Sequence, residues 1–110
     1  MNLRHLFGSR PPEMPDEVRH AFLKILYYTF ISIRATKSSE LIFALSDHAH
    51  NIPDLIDRYT PTTFRYYWEV ERPCFIGALE KISEQPFGPF REYWAVLEKH
   101  YEILERDHVA

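Results

Sequence analysis

The chain has 110 residues, of which 45% are hydrophobic and 26% charged, so it is long enough for one domain with a single core but too short for two. Its 16 acidic and 13 basic side chains give a formal net charge of -3 at pH 7, which argues against long-range attraction to nucleic acid or to anionic membranes. The single cysteine, Cys74, excludes an intramolecular disulfide and a zinc site built from several cysteines, and it favours a cytoplasmic location. We therefore expect one soluble domain over residues 1–110, with no cofactor.

Residues 1–14 are predicted to form an extended arm, because glycine and proline interrupt them repeatedly. The first helix is predicted to begin near Pro15, since proline fits the first helical turn and the next two residues, Asp16 and Glu17, complement the positive end of the helix dipole. The apolar run over residues 21–33 includes Lys24 and is shorter than the roughly 20 residues needed to cross a bilayer. This run therefore predicts a buried helix rather than a membrane span.

The apolar positions of this first helix recur with a period of about 3.6 residues. They are Val18, Phe22, Ile25, Thr29, Phe30 and Ile33. Three more bulky side chains, Tyr27, Tyr28 and Ile31, widen the apolar stripe beyond one face. Such a wide stripe favours a central helix, or one whose outer side contacts another chain.

A second helix is predicted after Ser38 or Ser39, either of which can cap it. Its apolar side is formed by Leu41, Ile42, Leu45, Ala49 and Ile52. Pro53 is predicted to end this helix, because proline has no backbone N–H and disfavours helical geometry in the residue before it. A second break of the same kind is expected at the Thr-Pro-Thr sequence of residues 60–62.

A third helix is predicted from Thr62 onward, in which Pro73 either introduces a kink or separates two short helices, and the kink is favoured. Residues 83–90, SEQPFGPF, are predicted to form a loop. The last helix follows, with Phe90, Tyr93, Trp94, Leu97, Tyr101 and Leu104 at spacings of three and four. Because no segment alternates with period two, the predicted fold is all-α: an irregular antiparallel bundle of four to five helices without a sheet.

The segment ALSDHAHNIPDLID, residues 44–57, contains the clearest candidate site. Asp47, His50, Asn51 and Asp54 would share one face if helical geometry continued past Pro53. A histidine one turn from a carboxylate can serve as a metal ligand or a general base. The remaining ligands of a metal site would then have to come from Asp57, His20 or His100.

The favoured interpretation of this segment is structural. Polar side chains at a helix end satisfy free backbone amides and carbonyls, with Asn51 in the capping position and Asp54 at the start of the next helix. The segment contains no sequence motif of a known metal or phosphate site. We therefore treat Asp47, His50, Asn51 and Asp54 as candidate ligand-binding residues only, and predict neither a catalytic residue nor a metal site.

The residues Asp47, His50, Asn51, Ile52 and Pro53 form the pattern Asp-x-x-His-Asn-Ile-Pro. This pattern resembles a segment of small uncharacterised bacterial proteins, in which a helix ends in an aspartate, two residues and then His-Asn-Ile/Leu-Pro. The resemblance covers about a tenth of the chain and implies an all-α fold. It implies no activity, and it gives no role to His48.

Two clusters combine arginine with tyrosine and tryptophan, around Arg65 and around Arg91, and such clusters can stack nucleobases. Because their aromatic residues have helical spacing, we predict that most of them pack in the core, with Tyr28 and Tyr66 left as surface candidates. Cys74 follows Pro73 in an apolar run, and we expect a buried, unreactive thiol.

These features predict a small helical protein that works through protein contacts, acts as a homo-oligomer and has no enzymatic activity. The prediction rests on a surplus of bulky apolar residues for so small a core. These are Tyr27, Tyr28, Ile31, Phe43 and Tyr66. The alternative is a ligand- or metal-binding, enzyme-like domain whose site lies at the Asp47–Asp54 corner. A nucleic-acid partner is disfavoured by the negative charge, and no membrane association is expected.

Overall fold

The computed structural model describes residues 13–81 and 88–109, and within these ranges the chain forms four helical units and no strand. Three of the units are regular helices: α1 (Asp16–Ala35), α2 (Ser39–Asp57) and, after the composite unit, α5 (Arg91–Val109). The fourth unit is a composite helix of α3 (Pro61–Tyr66), a π-helical segment (Tyr67–Glu71) and α4 (Arg72–Leu79). The helices pack against one another, which confirms the all-α prediction. None of the described helices is both long and apolar enough to span a bilayer.

Helix α1 packs against both α2 and α5. Its first turn carries Asp16 and Glu17 and its last turn carries Arg34, as its dipole favours. Its buried residues lie on one side: Val18, Ala21, Phe22, Ile25 and Thr29. Most of the predicted arm lies outside the described residues, but Met14 belongs to the core instead of extending away from it.

Helix α2 begins where its cap predicts, since the Leu41 N–H donates to the Ser38 hydroxyl at 3.4 Å. The prediction that Pro53 ends it is wrong, because Pro53 lies inside the helix with its ring exposed. A proline inside a helix costs about 3 kcal/mol through a lost hydrogen bond and a steric conflict. Burial of Ile52 and Leu55, on either side of the proline, contributes about 1.5–3 kcal/mol each and offsets that cost.

The composite helix starts with reciprocal caps at the expected Thr-Pro-Thr break. The Thr63 N–H donates to the Thr60 hydroxyl oxygen at 3.0 Å, and the Thr60 N–H donates to the Thr63 hydroxyl oxygen at 2.8 Å. Pro61 takes the first helical position, where no N–H is needed.

The irregularity predicted at Pro73 lies just before it, in the π-helical segment, and the helix continues through the proline. The Arg72 N–H donates to the carbonyl of Tyr67, five residues earlier, instead of four. In the same register residue 73 would donate to the Trp68 carbonyl, and proline has no N–H to give. The Arg72 Nε–H donates to that carbonyl instead, at 3.3 Å, while its guanidinium lies 3.9 Å from the centre of the Trp68 ring.

Aromatic rings fill the centre of the core. The Phe22 ring meets those of Phe64 and Tyr67 edge to face, at centroid distances of 6.0 and 5.1 Å. Phe90 stacks on Trp94 at 5.1 Å at the start of α5. The predicted loop over residues 83–90 lies largely outside the described residues.

Candidate functional site

Because α2 continues past Pro53, Asp47, His50, Asn51 and Asp54 do share one side of this helix, but they do not line a single cavity. Asp47 and Asn51 line a cleft of about 260 Å³ between α2 and the composite helix. His50 instead borders a groove between α1 and α2. Asp54 borders that groove and also a second cleft that it shares with Asn51 and Glu71, and its carboxylate lies 3.3 Å from the Arg58 guanidinium. The side chains of Asp47 and His50 therefore do not share a cavity.

The residues considered as additional metal ligands are also separated. Asp57 borders the α1–α2 groove with His50, whereas the His20 ring meets Tyr93 edge to face at 6.4 Å. His100 hydrogen-bonds to a tyrosine in the core. Over residues 13–81 and 88–109, no three histidine, cysteine, aspartate or glutamate side chains are arranged to hold a metal ion. The capping interpretation of Asn51 is wrong as well, because α2 continues through it.

The histidine with the most defined surroundings is His48, for which no role was predicted. It is 4% exposed, and its ring stacks on Phe75 with 3.6 Å between centroids and an angle of 6° between the planes. Its Nδ1 lies 3.3 Å from the Thr29 hydroxyl, and its Nε2 lies 2.9 Å from the Tyr67 hydroxyl. His48 therefore joins α1, α2 and the π-helical segment through side-chain hydrogen bonds.

The direction of each bond in this network follows from the Thr29 hydroxyl. Thr29 donates its only proton to the Ile25 carbonyl at 2.7 Å, so it must accept from His48 Nδ1–H. The unprotonated Nε2 of His48 then accepts from the Tyr67 hydroxyl. Burial lowers the pKa of His48 to about 3, which keeps the ring neutral at pH 7.

The same environment keeps the Tyr67 hydroxyl protonated. Burial raises its pKa, and the nearby Trp94 side chain lowers it by a smaller amount. The nitrogen atoms of His48 and the hydroxyls of Thr29 and Tyr67 are thus all engaged within the core. We interpret the network as one that holds three helices in a single arrangement, rather than as an acid–base site.

A second histidine–tyrosine pair links the start of the composite helix to α5. The Tyr59 hydroxyl and His100 Nε2 are 2.6 Å apart, and the Phe64 ring meets the His100 ring edge to face at 4.8 Å. Burial lowers the pKa of His100, while the nearby Glu17 carboxylate raises it to a lesser extent. This pair also belongs to the core and leaves the ring nitrogen Nε2 occupied.

The cleft between α2 and the π-helical segment collects the more accessible polar groups. Glu71 and Cys74 line it opposite Asp47 and Asn51. Burial raises the pKa of Glu71, and the negative charges of Asp47 and Asp54 raise it further. Cys74 is exposed, so the prediction of a buried thiol is wrong: Phe75, next in the chain, takes the core-facing position.

The arginine–aromatic clusters are arranged for packing rather than for stacking on nucleobases. Both tryptophans, Trp68 and Trp94, are buried, as their helical spacing predicts. Arg65 is engaged by α5, with its Nε donating to Glu105 at 2.8 Å. Tyr66 is exposed as predicted, whereas Tyr28 is half-buried and its ring packs on that of Tyr93.

Exposed apolar side chains are the other marked feature of the surface. In the part of the chain that the structure describes, eight large apolar side chains are exposed, and four of them belong to α1 and define what we call the outer face of α1. They are Leu23 (48% exposed), Tyr27 (58%), Phe30 (51%) and Ile31 (44%). Phe43 and Tyr66 are also exposed, so the predicted surplus of apolar residues does reach the surface, except at Tyr28.

No protein-family model, curated protein or solved structure matches this chain.

Proposed function

We propose that the protein is an interaction module that works by self-association through the outer face of α1. The observation that carries this proposal is the position of Leu23, Tyr27, Phe30 and Ile31 on the side of α1 opposite its buried residues. A helix on the surface of a domain packs on the core through one apolar side, so a second apolar side adds no stability to the monomer. Contiguous apolar surface of this kind is typical of protein contact sites.

The affinity to be expected follows from the area available. Burying the exposed half of one such side chain contributes about 0.75–1.5 kcal/mol, so the eight side chains of a symmetric pair contribute about 6–12 kcal/mol. Association itself costs at least about 4 kcal/mol in lost translational and rotational freedom. The self-association should therefore be weak and concentration-dependent, with a dissociation constant in the micromolar range or above.

The chain offers a matched pair of variants to test this proposal. Ile31 on the outer face of α1 and Ile103 on α5 are the same residue type and are both 44% exposed. Replacing Ile31 with glutamate places a charge in the proposed contact, whereas Ile103→Glu places the same charge elsewhere on the surface. Sedimentation velocity from about 5 to about 500 µM covers the expected affinity range.

We expect the wild-type protein and Ile103→Glu to become dimers as the concentration rises, and Ile31→Glu to remain a monomer. Circular dichroism of the three proteins controls for folding, because both positions lie on helix surfaces. A wild-type protein that is monomeric over the whole range would refute the proposed function. Equal effects of both substitutions would show that the contact lies outside the outer face of α1.

A further inference from the structure

The outer face of α1 continues beyond its apolar residues as a regular seam. Its positions alternate in steps of four and three along the helix: Asp16, His20, Leu23, Tyr27, Phe30 and Arg34. All six side chains are exposed. Steps of four and three are those along which two helices pack side by side with interlocking side chains. The seam has an apolar centre, an acidic residue at its beginning and a basic residue at its end.

We propose that α1 pairs in antiparallel orientation with α1 of a second copy of the chain, related by a twofold axis. This inference rests on the proposed function and adds the partner's orientation and register. Antiparallel packing in this register brings Leu23 against Tyr27 of the partner subunit, at the centre of the contact. His20 then faces Phe30 of the partner subunit, and the symmetry repeats each contact.

The charged ends of the seam decide the orientation. In the register set by the apolar centre, Asp16 lies opposite Arg34 of the partner subunit, once at each end of the pair. A parallel pair would place Asp16 against Asp16 of the partner subunit and Arg34 against Arg34 of the partner subunit, and like charges at a contact are unfavourable. The antiparallel pair also aligns the two helix dipoles favourably.

The same charges identify the partner as a second copy of this chain. The seam begins with an acidic residue and ends with a basic one, so its partner must present a basic residue first and an acidic residue last. A second α1 in antiparallel orientation presents the charges in that order. Among the residues that the structure describes, Asp16 pairs with Arg19 one turn away, at 3.3 Å, and this exposed ion pair is a weak interaction. Asp16 and Arg34 are both exposed, so a second molecule can contact both ends of the seam.

Charge reversal separates the antiparallel pair from other arrangements. Asp16→Arg alone, or Arg34→Asp alone, converts two attractive contacts of the antiparallel dimer into two repulsive ones. We expect each single variant to raise the dimer dissociation constant about tenfold, with a smaller effect at high salt. The double variant Asp16→Arg/Arg34→Asp restores both attractions and should return the constant to within about threefold of wild type.

A parallel dimer would respond differently, because each single reversal exchanges one like-charge contact for another and leaves the affinity nearly unchanged. Sedimentation equilibrium of the four proteins at low and high salt gives the constants. Thermal melts control for Asp16, whose charge also stabilises the first turn of α1. If Ile31→Glu abolishes the dimer but the charge reversals do not weaken it, the proposed function stands and the antiparallel register is refuted. If the wild-type protein does not dimerise at all, both proposals fail.

Discussion

Removal of the Tyr67 hydroxyl tests the buried network most directly. Tyr67→Phe keeps the ring, which is 1% exposed, and deletes only the donor to His48 Nε2. The histidine lone pair would remain buried against Phe75, and His48 cannot protonate to compensate because burial lowers its pKa to about 3. The variant therefore loses a hydrogen bond and retains an unsatisfied acceptor.

The size of the effect follows from these two contributions. A buried polar group left without its partner costs about 1–3 kcal/mol, and a well-formed network raises the value toward the upper end of that range. We expect Tyr67→Phe to lower the free energy of unfolding by about 2 kcal/mol. For a domain of this size, that corresponds to a decrease in Tm of roughly 10 °C.

Tyr101 provides a control for the same chemical change at the surface. Its hydroxyl donates to Glu69 at 2.6 Å in an exposed position, and this bond is the largest of the causes that raise the pKa of Tyr101 to about 12. Water can replace that bond, so Tyr101→Phe should change stability by no more than about 0.5 kcal/mol.

Urea unfolding at pH 7, followed by circular dichroism, measures both variants. Equal losses for Tyr67→Phe and Tyr101→Phe would contradict the reasoning, since burial would then make no difference. The tautomer offers a separate check, because the network requires the proton on His48 Nδ1. A nitrogen spectrum that places this proton on Nε2 would show that the bond directions are wrong.

Three further predictions concern pH and the predicted corner. His48 has a lowered pKa in the folded protein, so the unfolded state binds its proton first on acidification. The free energy of unfolding should therefore fall from about pH 6.5 toward pH 3, by up to about 1.4 kcal/mol per pH unit. Urea titrations at several pH values should show a smaller slope for His48→Gln. Glu71 has a raised pKa, so its ionised form is disfavoured in the folded state. Glu71→Gln should therefore raise the Tm at pH 7 and have less effect near pH 4. A lower Tm of this variant at pH 7 would contradict the prediction. Asn51 lies within α2 and not at its end, so Asn51→Ala should leave stability unchanged or raise it by up to about 0.5 kcal/mol, as measured by thermal melts; a loss of about 1 kcal/mol would restore the capping interpretation.

Local signals predict most of the fold, because they act within a few residues. A serine before an apolar run marks the start of α2, and threonine with proline marks the start of the composite helix. The end of α2 could not be predicted in this way. The local penalty of Pro53 is outweighed by the burial of Ile52 and Leu55, which depends on what lies across the core.

The sequence does contain a signal that His48 is buried. Leu45, His48, Ile52 and Leu55 share one side of a helix, so the period alone places this histidine in the core. The resemblance concerns His50 instead, which is exposed. The partners of His48 could not be predicted, because Thr29 and Tyr67 are brought to it only by the packing of three separate helices.

The π-helical segment has a physical explanation in the same network. Tyr67, the first residue of the π-helical segment, and Phe75, in the helix that follows the segment, both contact His48. In a regular α-helix, residues eight positions apart differ by roughly 80° around the axis, so only one of them could point at His48. One extra residue in the intervening turns reduces that difference to roughly 20°, which brings the hydroxyl of Tyr67 and the ring of Phe75 to the same imidazole. Pro73 lowers the cost of the π-helical segment, because proline has no backbone N–H and would not have donated a helical hydrogen bond in a regular α-helix either. The irregular turn, the buried histidine and the proline therefore form one structural unit, which no local sequence window could have revealed.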